Sequence, residues 1–332
     1  MKKYICLAAL LLILSPAIAC ADAINVFVSI MPQKFFLDQI GKGNVKVTIM
    51  VKPGANPAVY EPKPSQMVEL AKTDIYFAIG VPFEKAWLPK IQDSNPKMLI
   101  VHTDANVPKI PIKGHYHYDE EGNIIDYHGS DFHTEGEVEH ADHDHDGHDH
   151  AAEGPHDHDA DHGDHNHVND GEILDPHIWL DPALVKIQGR NIADALKAFD
   201  PENAGFYEQN YADFVVRVDQ VDAQVREKLK GLEGITFMTF HPAWGYFAKA
   251  YGMHQITVEV GGREPSPAQL KELMEQAKAA NVKVIFVQPQ FDQKHARTIQ
   301  KALKIKLLIA DPLEMDWSMC LLQQANRLRR VY

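Results

Sequence analysis

The stretch INVFVSIMPQKFFLDQIGKGNVKVTIMV, residues 24–51, decides the fold of this chain. It begins and ends with short apolar runs rich in Val and Ile, and residues 33–40 between them carry apolar side chains at helical spacing. Short apolar runs bounded by Gly or Pro are typical of strands buried in a parallel sheet. A strand, a helix and a second strand in this order predict the βαβ unit of a doubly wound α/β sheet.

The same alternation continues to residue 102 and returns in the C-terminal third of the chain. Further strands are predicted at 74–80, 98–102, 235–240, 256–260, 284–287 and 305–310. Further helices are predicted at 65–71, 83–91, 242–251, 267–280, 292–303 and 317–331. The sequence therefore predicts an α/β protein with two doubly wound lobes built on parallel sheets, at 24–200 and 232–332.

One long helix is predicted to join the two lobes, at 201–231. Asp181-Pro182 and Asp200-Pro201 each offer an Asp as N-cap and a Pro at the first helical position, so a helix should begin at each pair. The first helix is predicted to end near Phe199. From Phe206 to Leu229, apolar residues recur at three- and four-residue steps, which predicts about 28 residues of amphipathic helix.

The N-terminus is typical of an exported protein. Lys2 and Lys3 precede an apolar run and then small residues up to Cys20, which predicts a secretory signal peptide at 1–23 and a periplasmic location. Two processing routes remain open: cleavage after residue 19, 21 or 23, or lipid attachment at Cys20. The chain holds 3 cysteines, too few for a mature fold built on disulfides.

Residues 114–170 are predicted to form a disordered loop within the first lobe. Residues 140–167 hold ten histidines and eight aspartates, and no Lys or Arg occurs between Lys113 and Lys186. So few apolar side chains cannot offset the entropy lost on ordering. Imidazole binds zinc, copper and nickel, so we predict metal handling, with a solubilising acidic insert as the alternative. The predicted auxiliary ligands are His140, His143, His145, His148, His150, His156, His158, His162, His165 and His167.

The net charge of −13 excludes one class of partner. Much of the negative excess falls in the His/Asp loop, and no basic surface is indicated elsewhere. Because nucleic-acid binding depends on Lys and Arg that neutralise phosphates, we expect no nucleic-acid partner.

Three residues are predicted to meet where the strands of the two sheets end. His241 follows the strand that ends at Phe240, Asp311 follows the strand that ends at Ala310, and His177 lies in an Asp-Pro-His loop. Ligands of parallel α/β sheets bind at the carboxyl ends of strands. We also expect His241 to cap a helix that begins at Pro242, whose positive end would keep the imidazole neutral. Each residue taken singly also has a structural explanation, as a packing histidine or a helix-entry Asp.

Several motifs resemble the solute-binding proteins of zinc and manganese ABC transporters, over nearly the whole mature chain. The motifs are DPHIWLDP at 175–182, HPAWGYFA at 241–248, GANPAVYEPKP at 54–64, EPSP at 264–267 and DPL at 311–313. The placement of a His/Asp loop before the Asp-Pro-His motif is similar to the zinc branch. The resemblance implies a monomer of two lobes with a metal in the cleft, which it delivers to a permease and its ATPase in the inner membrane.

The resemblance also implies a ligand set, with one departure. His177, His241 and Asp311 match family ligands, but Ala58 stands where the family has its first histidine, and a methyl group cannot bind metal. A water molecule, a loop histidine or Glu61 remain the alternatives for completing the site.

Zinc is the metal that we expect, because two histidines and a His-rich loop favour it over manganese. Manganese, copper and nickel remain open. We expect no enzyme activity: a zinc hydrolase would use a similar ligand set, but the chain has no His-Glu-x-x-His motif. A secreted metal buffer or an adhesin on the same fold is a further alternative.

Overall fold

The structure is a computed structural model and describes residues 23–112, 115–118, 124–128, 174–259, 263–291 and 293–332. Nearly all of the predicted signal peptide and most of the predicted loop therefore lie outside the described residues. The ten histidines between 140 and 167 lie outside them as well.

The N-terminal lobe is a parallel sheet of four strands in the order β2-β1-β3-β4. Its strands are β1 (Ile24–Val28), β2 (Val45–Ile49), β3 (Ile75–Ala78) and β4 (Leu99–His102), and its helices are α1 (Met31–Ile40), α2 (Pro64–Leu70) and α3 (Pro82–Ser94). The β1-α1-β2 unit forms as predicted because α1 buries Phe36, Leu37 and Ile40 on the sheet. The prediction of a doubly wound parallel sheet is confirmed here.

Two short strands occupy part of the segment that the sequence predicts to be a disordered loop. The strands β5 (His115–Tyr118) and β6 (Ile124–His128) pair antiparallel, with His115 opposite His128. Tyr and Ile are residue types that favour strands, a local signal that the overall composition of residues 114–170 conceals.

Two packed helices lead from the first lobe into the second. In α4 (Pro182–Phe199) the predicted N-cap is confirmed, because the Asp181 carboxylate accepts a hydrogen bond from the Ala183 N–H at 2.8 Å. Asp200 does not cap a helix through its side chain as predicted. Its carboxylate accepts from the Tyr207 hydroxyl at 2.7 Å, and a 3-10 turn precedes α5 (Ala204–Leu229).

The helix α5 has 26 residues and so spans about 39 Å. It packs on α1, α4 and the C-terminal helix α9 (Trp317–Arg329). Its buried stripe begins at Tyr207 rather than at Phe206, whose side chain is 40% exposed. Since α5 touches helices of both lobes, it fits the predicted linker role, while the domain limits at 200/201 and 231/232 stay a prediction.

The C-terminal lobe repeats the same design, with strand order β10-β9-β7-β8, all parallel. Its strands are β7 (Thr236–Thr239), β8 (His254–Thr257), β9 (Val284–Val287) and β10 (Lys306–Ile309), and its helices before α9 are α6 (Gly245–Ala250), α7 (Pro267–Ala279) and α8 (Lys294–Leu303). The two-lobed fold predicted from the sequence is thus confirmed.

One apolar core runs through both lobes. It contains Phe36 of α1, Phe214 of α5 and Trp317 of α9, with the Phe36 ring 5.9 Å from the Trp317 ring and 5.7 Å from the Phe214 ring. The lobes are thus held together by a shared core as well as by chain connections.

Among the described residues, no helix combines the length and apolar character needed to cross a membrane.

Candidate metal centre

A cavity of about 130 Å³ lies where the strand ends of the two lobes face each other. Its first-lobe wall comes from the turns at 56–58 and 80–82, and its second-lobe wall from loops that follow β7, β9 and β10. His177 and His241 both line it. These two predicted residues therefore lie together at the carboxyl ends of the strands, where ligands of parallel α/β sheets bind.

His177 is held by the loop that precedes a short 3-10 turn. Its side chain is almost buried, with 8% of the residue exposed, and its ring lies 5.1 Å from the ring of Trp179. Asp175 accepts two hydrogen bonds at one carboxylate oxygen, from the His177 backbone N–H at 2.9 Å and from ring Nδ1 at 2.7 Å. This Asp-Pro-His loop therefore fixes both the backbone and the ring of the histidine.

His241 is fixed by three neighbours at the carboxyl end of the second sheet. Its ring Nδ1 lies 2.5 Å from Oε2 of Glu259, and its ring stacks on Phe291 at 4.7 Å. The side-chain amide of Gln288 pairs with the His241 backbone, accepting from its N–H at 3.3 Å and donating to its carbonyl at 3.0 Å. Ring and backbone are thus restrained independently.

The two carboxylates decide which ring nitrogen is free to bind a metal. A carboxylate only accepts hydrogen bonds, so Nδ1 of each neutral histidine carries the proton and Nε2 keeps its lone pair. The rings of His177 and His241 lie 5.2 Å apart, at 72° to each other. Imidazoles that share a tetrahedral zinc through nitrogens at about 2.0–2.1 Å have ring centres about 5 Å apart. The pair therefore has the spacing of two ligands of one ion.

The environment of His241 favours the neutral form. Its pKa lies below the ordinary value of 6.5, chiefly because burial penalises the charged ring; the Glu259 hydrogen bond acts in the opposite direction, and nearby His177 lowers the pKa further. The expected cause was a helix beginning at Pro242, and that expectation is wrong: α6 begins at Gly245 with Trp244 as N-cap. Burial, rather than a helix end, keeps this imidazole ready for a metal.

Asp311 stands behind the cavity wall in this structure. One of its carboxylate oxygens accepts from the Gln290 side-chain amide at 3.0 Å and from the Leu313 N–H at 2.9 Å. Pro312 and Leu313 line the cavity next to it. In the described part of the chain, no three His, Cys, Asp or Glu side chains are placed together to hold an ion. Asp311 as a ligand stays a prediction that requires its side chain to turn.

The loop that lacks the family histidine still reaches the cavity. Ala58 lines the cavity, and its backbone N–H donates to the side-chain amide oxygen of Asn56 at 2.9 Å, which fixes the turn. Glu61 is exposed further along the loop, and its role as a ligand stays a prediction. At position 58 the cavity is therefore lined by a methyl group instead of an imidazole.

The histidine loop at 175–180 is tied to the second lobe. Trp179 donates from Nε1 to the Pro312 carbonyl at 2.8 Å, and Trp317 donates from Nε1 to the Trp179 carbonyl at 2.6 Å. Tyr246 donates its hydroxyl hydrogen to the Asp175 carbonyl at 3.0 Å. The loop that holds His177 is therefore joined to the second lobe by three hydrogen bonds.

Sequence reasoning missed the residues that support the two histidines. Asp175 belongs to the Asp-Pro-His motif, but the motif alone does not indicate that its carboxylate bonds the histidine ring. Glu259 follows β8, the strand next to β7, so the strand-end rule could have found it. Gln288 and Gln290 follow β9 in the same way.

Comparison with known proteins identifies zinc-uptake and zinc-binding proteins as relatives of this chain. The chain is 26% identical over 295 residues to the high-affinity zinc uptake system protein ZnuA of Bacillus subtilis (strain 168), covering 88% of this chain and 79% of that protein. It is 25% identical to the zinc-binding protein AdcA of Streptococcus pyogenes serotype M3 (strain ATCC BAA-595 / MGAS315), with 88% of this chain covered but 50% of the longer relative.

A solved structure extends the likeness to three dimensions. A crystal structure of ZnuA superposes with a TM-score of 0.73 at 30% sequence identity, covering 93% of this chain and 99% of that chain. The family model for ZnuA, described as the periplasmic component A of the zinc-uptake complex, matches residues 26–318. The chain therefore belongs to the ZnuA family of zinc-uptake components.

Proposed function

We propose that this protein is the solute-binding component of an ABC transporter, which captures one zinc ion in the cleft between its lobes and delivers it to a membrane permease. One observation carries this function: the ring centres of His177 and His241 lie 5.2 Å apart in the same cavity. Each has its Nδ1 bound to a carboxylate, so that Nε2 is the free donor of both rings.

The donor chemistry supports zinc as the cargo. Neutral imidazole nitrogens suit zinc, copper and nickel, whereas manganese prefers oxygen-rich sites. The relatives described above carry zinc in their names. Family membership and the predicted signal peptide support the further proposals of delivery to a permease and its ATPase, export to the periplasm and a monomeric state.

The supporting carboxylates favour binding over catalysis. A zinc hydrolase needs an acid–base group that can act on a metal-bound water. Asp175 and Glu259 instead accept the Nδ1 hydrogens of the two histidines, an arrangement that orients metal ligands and raises their basicity. This arrangement supports capture of an ion rather than catalysis.

A zinc titration combined with crystallography tests this function. We expect one tight zinc per chain in a competition titration against a chromophoric chelator. We also expect one anomalous peak at the zinc edge in a zinc-loaded crystal, about 2.0–2.1 Å from Nε2 of both histidines. An anomalous peak elsewhere, with the cleft empty, would show that the cleft is not the site.

Restoring the family histidine is expected to strengthen zinc binding. Ala58 faces the cavity, so the variant A58H adds a third imidazole to the pair. We expect the dissociation constant to fall by about tenfold or more, since one coordination bond to nitrogen replaces a weaker ligand. The measurement is the same competition titration.

The matched control is A58Q, which adds comparable bulk without an imidazole and should bind no tighter than wild type. An A58H variant with wild-type affinity would mean that position 58 does not reach the ion.

A further inference from the structure

Gln290 occupies the space between Asp311 and the cavity. It follows β9 by three residues, lines the cavity with His177 and His241, and donates from Nε2 to the Asp311 carboxylate at 3.0 Å. Because a carboxylate can only accept, this contact fixes the amide orientation, with nitrogen toward Asp311 and the carbonyl oxygen away from it.

The carbonyl oxygen of Gln290 is buried and has no hydrogen-bond partner among the described residues. A buried acceptor left unpaired costs about 1–3 kcal/mol, so such atoms are normally satisfied by protein or by water. Since Gln290 lines the cavity, a water molecule or ligand inside the cavity is the natural source of that donor.

The neighbouring Gln288 shows the contrast. Both of its amide atoms pair with the His241 backbone, so it serves to hold the loop. Gln290 donates from its amide nitrogen to Asp311, and its amide oxygen has no hydrogen-bond partner among the described residues. Two glutamines only two residues apart therefore have different roles.

We propose, building on the zinc site proposed above, that Gln290 is a positioning residue whose carbonyl oxygen holds a water molecule on the zinc. The ion bound by His177 and His241 lacks the histidine that Ala58 replaces, and zinc fills an open position with water. A metal-bound water is a strong donor, because the ion draws charge from its O–H bonds. The Asp311 carboxylate orients the Gln290 amide, and the amide orients the water.

The first test is Q290M, a variant of similar size that has no acceptor oxygen. We expect one zinc per chain as in wild type, but an affinity about tenfold weaker, the usual effect of losing a residue that orients a metal ligand. We also expect altered d–d absorption bands in the cobalt(II)-loaded variant, which a purely structural role would not produce. Q276M changes a helix glutamine outside the cavity lining and should match wild type in both measurements.

The second test needs no variant. In a crystal of the zinc-loaded wild-type chain, a water on the zinc should lie about 2.7–3.0 Å from Gln290 Oε1. Direct contact between that oxygen and zinc, or no water beside it, would overturn the proposal, as would wild-type affinity in Q290M. If the wild-type chain binds no zinc in the cleft, the function proposed above is wrong as well; if it does and Q290M binds equally well, only the role of Gln290 is wrong.

Discussion

Tight zinc binding is expected to be lost when either His177 or His241 is replaced by alanine. The two imidazole rings line the same cavity, with their centres 5.2 Å apart. Loss of a residue that only orients a ligand costs about 10–100-fold in affinity, so loss of the ligand itself should cost at least about 100-fold. A competition titration against a strong chelator measures this site without contributions from weaker ones.

A third histidine supplies the control for this experiment. His254, in β8, is exposed and does not line the cavity that His177 and His241 share. H254A should therefore bind zinc like wild type, and thermal unfolding of all three variants separates lost binding from lost folding. Wild-type affinity in both H177A and H241A would place the ion elsewhere on the chain.

Much of the fold follows from periodicity alone. The predicted strand at 284–287 coincides with β9, because all four of its residues are apolar and buried. The predicted strand at 256–260 is displaced from β8, which begins at His254. The β8 ladder is set by pairing with Thr236–Thr239 of β7, and so it includes the polar residues His254 and Gln255, which the apolar pattern excludes.

The candidate site was predictable only in part. His241 follows a buried parallel strand, and chain order alone brings such strand ends together. Glu259 and Gln290 matter through the orientation of their side chains, which depends on loop packing that no spacing in the sequence reveals. Asp311 shows the limit most clearly: its position behind the cavity depends on bonds to Gln290 and Leu313.

The largest loss of stability is expected for Trp179, whose replacement by alanine should also weaken zinc binding. Its side chain is 1% exposed, and its Nε1 donates to the Pro312 carbonyl at 2.8 Å. Removing a buried Trp typically costs about 3–5 kcal/mol in the free energy of unfolding. Zinc affinity should fall as well, because the Trp179 ring lies 5.1 Å from the His177 ring and supports it.

W179F separates packing from hydrogen bonding at this position. Phenylalanine keeps most of the apolar contact but has no donor for the Pro312 carbonyl, so we expect a loss of about 1–2 kcal/mol in urea unfolding. An equal loss in W179A and W179F would assign the effect to the hydrogen bond rather than to the packed ring. A loss below about 1 kcal/mol in both would contradict the inference that Trp179 joins the lobes. Because the same ring supports His177 and contacts the loop after β10, stability and zinc affinity should fall together across the two variants.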